Sequence, residues 1–257
     1  MPQEIRITDT LKVAAGETLR DAAVVWDGGE TNSYAVECRG TLENVLVSCR
    51  GRCSGVWHKA TYADAARRVK VWEPSGVGYN AAGCWGSKLS HITIGSGKGT
   101  AFLASQANAA QIENLVVHGH SGLCVKVDRA NVLRMSGLAI EACRCEGVAV
   151  LLQDVIGCSV LGTYLEDNQG VRECFLLSSS ESNRLNGSCV KIQTAAVVSR
   201  HEKHDVFVAT SGRWSALTVD GLASNALSAA VCRTTGSGTP LVVSCVAGVP
   251  DWISQTA

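Results

Sequence analysis

Glu141 and Glu166 stand 25 residues apart, at the ends of two similar apolar runs, 135–140 and 160–165. In a chain that winds with that period, such residues fall on neighbouring coils roughly 4.8 Å apart. Two carboxylates held so close can divide their protonation states. One keeps a proton and the other stays ionised, as a general acid and base in glycan cleavage would. The same alignment sets His118 below the pair and Lys191 above it, with His120, Asp167 and Asn168 alongside. Glu141, Glu166 and Asp167 are therefore the catalytic candidates. The plainer reading, which is preferred, is a ladder of alternating charges that satisfy one another along a solvated strand edge.

Twelve cysteines are spread along the chain instead of gathered in close pairs. A structural zinc site needs two such pairs, and Cys49-x3-Cys53 with His58 is the nearest approach, so no metal is expected. About half of the thiols read as small core residues. Cys143-x-Cys145 is too tight for an easy internal bridge and is better suited to bonds with other partners. The run Arg200-His201-Glu202-Lys203-His204-Asp205 reads as a loop, and two histidines three apart without a helix make a weak ligand set. Gly95-Ser96-Gly97-Lys98-Gly99 resembles a phosphate-cradling loop but leads into a strand instead of a helix, so no nucleotide cofactor is expected.

Composition narrows the classes further. Lysine plus arginine equals aspartate plus glutamate at 23 each, so no global field attracts nucleic acid. No stretch approaches the ~18 apolar residues of a membrane span. The opening Met1-Pro2-Gln3-Glu4-Ile5-Arg6-Ile7 lacks the basic and apolar regions of a signal peptide.

The elements that must position these groups are marked by Gly99, Gly122, Gly147 and Gly170, which fall 23, 25 and 23 residues apart and each open an apolar run. A period in the twenties marks a solenoid, whose repeats bury their apolar faces only against neighbours above and below. The expected organisation is an N-terminal lead-in and capping segment over 1–33, coils over 34–246, and a tail over 247–257. Residues 56–83 break the rhythm and read as an insertion, with a short helix over 60–69. Second strands are expected at 89–94, 112–117, 135–140, 160–165 and 185–190.

Alternation along each strand assigns its faces. Lys126 must point outward, which sends Cys124 out with it and places Leu123, Val125 and Val127 inside. The same register puts Thr100, Phe102, Val148 and Val150 inside and Ala101, Leu103, Ala149 and Leu151 outside. A second outer column runs through Thr93, Val116, Ala139, Tyr164 and Cys189. Apolar outer columns argue for a partner surface, because solvated strand faces normally carry charge or threonine. Ala101, Leu103, Ala149 and Leu151 are thus interface candidates, and Cys124, Cys189, Cys143 and Cys145 are candidates for inter-chain disulfides.

These coils resemble the all-β, right-handed parallel β-helix of the pectate-lyase-like superfamily, in particular its phage tailspike and virion members. The run 7–19, Ile-Thr-Asp-Thr-Leu-Lys-Val-Ala-Ala-Gly-Glu-Thr-Leu, is similar to the first strand of many such helices. The resemblance implies a homotrimer with three helices side by side. It also implies either cleavage or binding of surface polysaccharide or a structural place in the particle. The leading expectation is a trimeric virion protein, a capsid decoration or a neck and collar component, that contacts itself and other virion proteins. It would be assembled in the host cytoplasm and released by lysis, after which thiols can oxidise. The alternative is a tailspike-like protein that binds or degrades host glycan through Glu141, Glu166 and Asp167.

Overall fold

Short runs of alternating apolar and polar residues, separated by turns, form only strands here; no helix occurs among the described residues. The computed structural model describes residues 2–61, 64–179, 190–200, 202–211, 213–214, 217–235, 237–238, 241–244 and 253–255. Successive coils contribute one strand to each of two parallel sheets, and among the described residues each of these sheets contains eleven strands in the order in which the chain lays them down, beside a small third sheet of Arg213–Trp214 and Ser237–Gly238. A typical coil is Lys88–Gly95 in the first sheet and Lys98–Ser105 in the second. The core is one continuous column between the sheets. It includes Leu89, Ile112, Met135 and Val160 from the first sheet and Tyr79, Phe102, Val125, Val150 and Phe175 from the second.

Seven successive first-sheet strands, from Thr18–Trp26 to Ser159–Glu166, are each kinked at one residue held in the left-handed region: Asp21, Asn44, Arg68, His91, Asn114, Gly137 and Gly162. A kink places two successive residues on the outside, so strict alternation fails at that point. This explains the absence of the insertion and helix expected over 56–83 and 60–69. Ala66, Val69 and Val71 are buried while Arg67 and Arg68 both face out, a spacing that imitates a helix face. Asp64–Trp72 is a strand paired with Lys88–Gly95, and Ser54–His58 and Val77–Ala81 pair in the second sheet. Residues 62–63 lie outside the described residues.

The coil stack also begins before residue 34. Gln3–Ile7 pairs with Thr18–Trp26, and Leu11–Val13 pairs with Tyr34–Cys38, so the first segment is itself part of both sheets. Within the expected tail, Ile253–Gln255 pairs with Leu227–Thr234 as the last strand of the second sheet. The expected strand at 185–190 falls mostly outside the described residues. The strand that is described in that coil is Val190–Val198. The supposed loop over 200–205 ends in a strand, His204–Ser211, with His204 fully buried.

The second sheet bends where two consecutive residues of each strand enter the core: Ala101 with Phe102, Cys124 with Val125, Ala149 with Val150, Cys174 with Phe175. In these four strands the first of each pair is small, as suits the bend; on the next two coils the place is taken by Phe207 and Val231. At Gly78 an added Cβ would lie 2.5 Å from the Ala101 carbonyl oxygen and 2.7 Å from Ile94 Cγ2. Ala101, Cys124 and Ala149 therefore point inward, and the outward placement read from alternation is wrong for all three. Thr100, Leu123 and Val148, expected inside, are instead partly exposed. The parity changes in mid-strand, so a face read from Lys126 holds for Leu103 and Leu151 and fails on the other side of the bend.

Candidate functional site

The polar cluster lies at the edge where first-sheet strands enter the turn. His118 pairs with Glu141, and Glu141 with Glu166, on successive coils. The position above Glu166 belongs to Val198, while Lys191 pairs with Ser159 at the opposite end of its strand. The coil between Gln169–Ser178 and Val190–Val198 is longer than its neighbours, which shifts the alignment that had placed Lys191 over the pair. The cation is Arg200 instead. Its guanidinium lies 3.6 Å from Glu166 and 3.7 Å from Asp167, and its backbone N–H donates to Asp167 Oδ1 at 2.8 Å.

Tyr164 donates its hydroxyl to Glu166 Oε2 at 2.9 Å. That hydrogen bond is the main reason the phenol holds its proton above the ordinary tyrosine value, with the Glu166 and Glu141 charges adding to it. Glu166 and Asp167 are thus engaged as acceptors, an arrangement that anchors a turn and leaves Glu141 as the less encumbered carboxylate. Asn168 and His120 do not join them. Asn168 is buried, accepting from the Cys143 N–H at 3.0 Å and donating to the Ile140 carbonyl at 2.9 Å. His120 is buried against the Gly99 carbonyl at 3.2 Å. Both fill the turn from inside.

The thiols are interior as well. Cys124, Cys143 and Cys145 are buried within their own coil stack and are not displayed on an outer face. Cys189, the fourth candidate, lies outside the described residues. Cys49, Cys53 and His58 are likewise core residues, and no group of three or more metal-ligating side chains occurs among the described residues.

Three outer features remain. Outward columns of the second sheet run through Val77, Thr100 and Leu123, and through Leu103, Lys126, Leu151 and Leu176. Together with Val148 they form a partly exposed, mainly apolar face. Leu103 and Leu151 were legible from the sequence. Leu123, Val148 and Leu176 were not, although the recurring adjacent pairs of apolar residues were the signal that the strand bends. On the first sheet, the expected column through Thr93, Val116, Ala139 and Tyr164 is in register and continues to Ala196. Near the N-terminal coils a cleft of about 490 Å³ places Trp57 beside Lys12, Glu37 and Arg39.

No family model matches the sequence, and no match was found among curated proteins. Solved structures do match in shape. The ORF18 protein of Geobacillus virus E2 aligns over 91% of this chain and 51% of its own, at 9% identity and a TM-score of 0.61. The catalytic domain of a GH87 alpha-1,3-glucanase aligns over 98% of this chain and 56% of its own, at 8% identity and a TM-score of 0.56. This chain spans little more than half the length of either structure. Parallel strand order, a stacked core and these alignments agree that the chain has a parallel β-helix fold.

Proposed function

We propose that the protein is a structural component of a phage virion, assembled as a side-by-side homotrimer through the outer face of its second sheet. The observation that carries this reading is the apolar face built from Val77, Leu103, Leu123, Val148, Leu151 and Leu176. Solvated sheet faces are normally polar, and an outward face on which apolar side chains outnumber Thr100, Lys126 and Glu173 suits an association surface. The likeness in fold to a virus protein supports the setting. A capsid decoration or a neck and collar component suits a rod that associates laterally with itself and with other virion proteins. Burial of Cys124, Cys143 and Cys145 means that packing, not inter-chain disulfides, would hold the trimer.

The experiment is the solution mass of the full chain by light scattering, together with mass spectrometry of purified particles. Three times the chain mass that falls to one with Leu123→Asp, and the protein present in particles, support the proposal. A folded wild-type monomer, or absence from particles, refutes it.

A second reading is binding or cleavage of host polysaccharide. It is favoured by Glu141 and Glu166 on paired positions of adjacent coils and by the Trp57 cleft, where an indole face flanked by cations suits a sugar ring. Release of reducing ends from host polysaccharide that vanishes in Glu141→Gln would select this reading. Binding without cleavage that is lost in Trp57→Ala would select a receptor role.

A further inference from the structure

One strand of the second sheet slips in register along both of its edges. Arg144–Gln153 pairs Arg144 with Ser121 and then Val150 with Val125, so five of its residues face three on the neighbouring strand. Its other edge slips as well, from Arg144 opposite Gln169 to Gly147 opposite Val171 and Val148 opposite Glu173. Such a bulge leaves backbone groups without ladder partners and weakens the joint between coils. The interior behind it is lined by thiols: Cys124, Cys143, Cys145 and Cys174 are all buried there. Cys124 Sγ lies 3.5 Å from Cys145 Sγ, across the two strands that the bulge separates.

We propose that Cys124 and Cys145 are a disulfide site, closed after folding, that staples adjacent coils across the bulge. Sulfurs already in van der Waals contact need only side-chain rotation to approach the ~2.05 Å of a bond. Cys145 is the accessible member, at 7% exposure against 0% for Cys124, and so makes the first attack. Its thiolate displaces one thiol from a small external disulfide and forms a mixed disulfide. Cys124 then attacks the Cys145 sulfur and releases the second thiol. The two cysteines lose two hydrogens in total and the external disulfide is reduced to two thiols. Cys143 also hydrogen-bonds the Cys124 thiol, a bond that lowers the pKa of Cys143 and raises that of Cys124, so the Cys143 thiolate is placed to take the Cys124 proton in the second attack. It stands next to the pair as a thiol that can exchange with it. This proposal concerns the coil interior and holds whether or not the chain belongs to a virion.

The test uses the full chain, incubated with oxidised glutathione or with dithiothreitol, then unfolded, alkylated and mapped by mass spectrometry without reduction. The expected result is a peptide linking Cys124 to Cys145 in a chain that is not cross-linked to another copy. Its melting midpoint should lie about 5 °C or more above that of the reduced protein. Cys124→Ala should abolish both the link and the shift and still fold, because the equivalent positions of the neighbouring coils are Ala101 and Ala149. Two free, alkylatable thiols at 124 and 145 after oxidation, or a link that joins either one to a different cysteine, would overturn the proposal.

Discussion

His58 Nδ1 accepts the hydroxyl proton of Tyr79 over 2.5 Å inside the coil stack, and its other ring nitrogen donates to the Gly40 carbonyl at 3.1 Å. The neutral imidazole satisfies both neighbours, and Tyr79 in turn stacks on Phe102 with ring centroids 5.8 Å apart. Burial disfavours the imidazolium and lowers the His58 pKa from 6.5 to about 4. His120 and His204 are lowered by burial as well.

Acid should therefore loosen the fold before its carboxylates titrate. Between pH 6.5 and about 4 the unfolded chain takes up a proton that folded His58 refuses. Stability is full above that window and falls as pH drops through it, by about 3 kcal/mol from His58 alone. His120 and His204 act in the same direction. Urea midpoints measured from pH 7.5 to 4 should show this slope, and His58→Gln should flatten it. A wild-type midpoint that does not change over that range would contradict the assignment.

The inward bend of the second sheet makes a steric prediction at Gly78, where an added Cβ meets the Ala101 carbonyl oxygen at 2.5 Å. Backbone cannot yield as a side-chain tip can, so Gly78→Ala should cost about 2 kcal/mol or more. Ala101→Gly, on the next coil at the same bend, loses only a methyl group and gains backbone freedom, a cost of about 1 kcal/mol. Denaturant melts of the two variants should rank in that order. Equal midpoints would mean that the bend is not packed as described.

The Glu166 cluster is expected to contribute little to stability. Arg200 is 74% exposed at its ion pair with Glu166, so solvent screens the attraction. Arg200→Ala should shift the unfolding free energy by less than about 1 kcal/mol. If the cluster cleaves glycan, Glu141→Gln and Glu166→Gln should each lower turnover by about 100-fold or more while leaving the melting midpoint in place. A matching loss of midpoint and activity would mark these residues as structural.

The period was legible because glycines and apolar runs recur at the same interval wherever coils stack, and so the fold and most strands followed from Gly99, Gly122, Gly147 and Gly170. Side-chain direction was less legible, because it depends on the parity of each strand. A left-handed residue at Arg68 or an inward bend between Cys124 and Val125 resets that parity without changing composition. Alanine and cysteine gave no warning, since both suit a tight interior bend as well as a covered exterior. The carboxylate pair was found because Glu141 and Glu166 lie in unbroken register. Its cation was not, because the longer coil after Ser178 put Val198 in the place that simple counting gave to Lys191 and brought Arg200, two residues on, within ion-pair distance.

Ala149 and Leu151 separate the two faces of one strand and so test the interface directly. Ala149 is fully buried at the bend, whereas Leu151, two residues on, faces outward and is only partly covered. Strict alternation would place both on the same side. Ala149→Asp puts an unpaired charge into the core, which costs several kcal/mol and should leave little folded protein. Leu151→Asp puts the same charge on the outer face. The isolated chain should fold with a nearly unchanged circular dichroism spectrum, and the assembly should dissociate, because each copy would bring a carboxylate to an apolar contact. Circular dichroism and light scattering on the two variants thus read different properties. A Leu151→Asp protein that keeps the wild-type assembly mass would remove the second sheet's outer face from the interface, and a soluble, folded Ala149→Asp protein would return residue 149 to the outside.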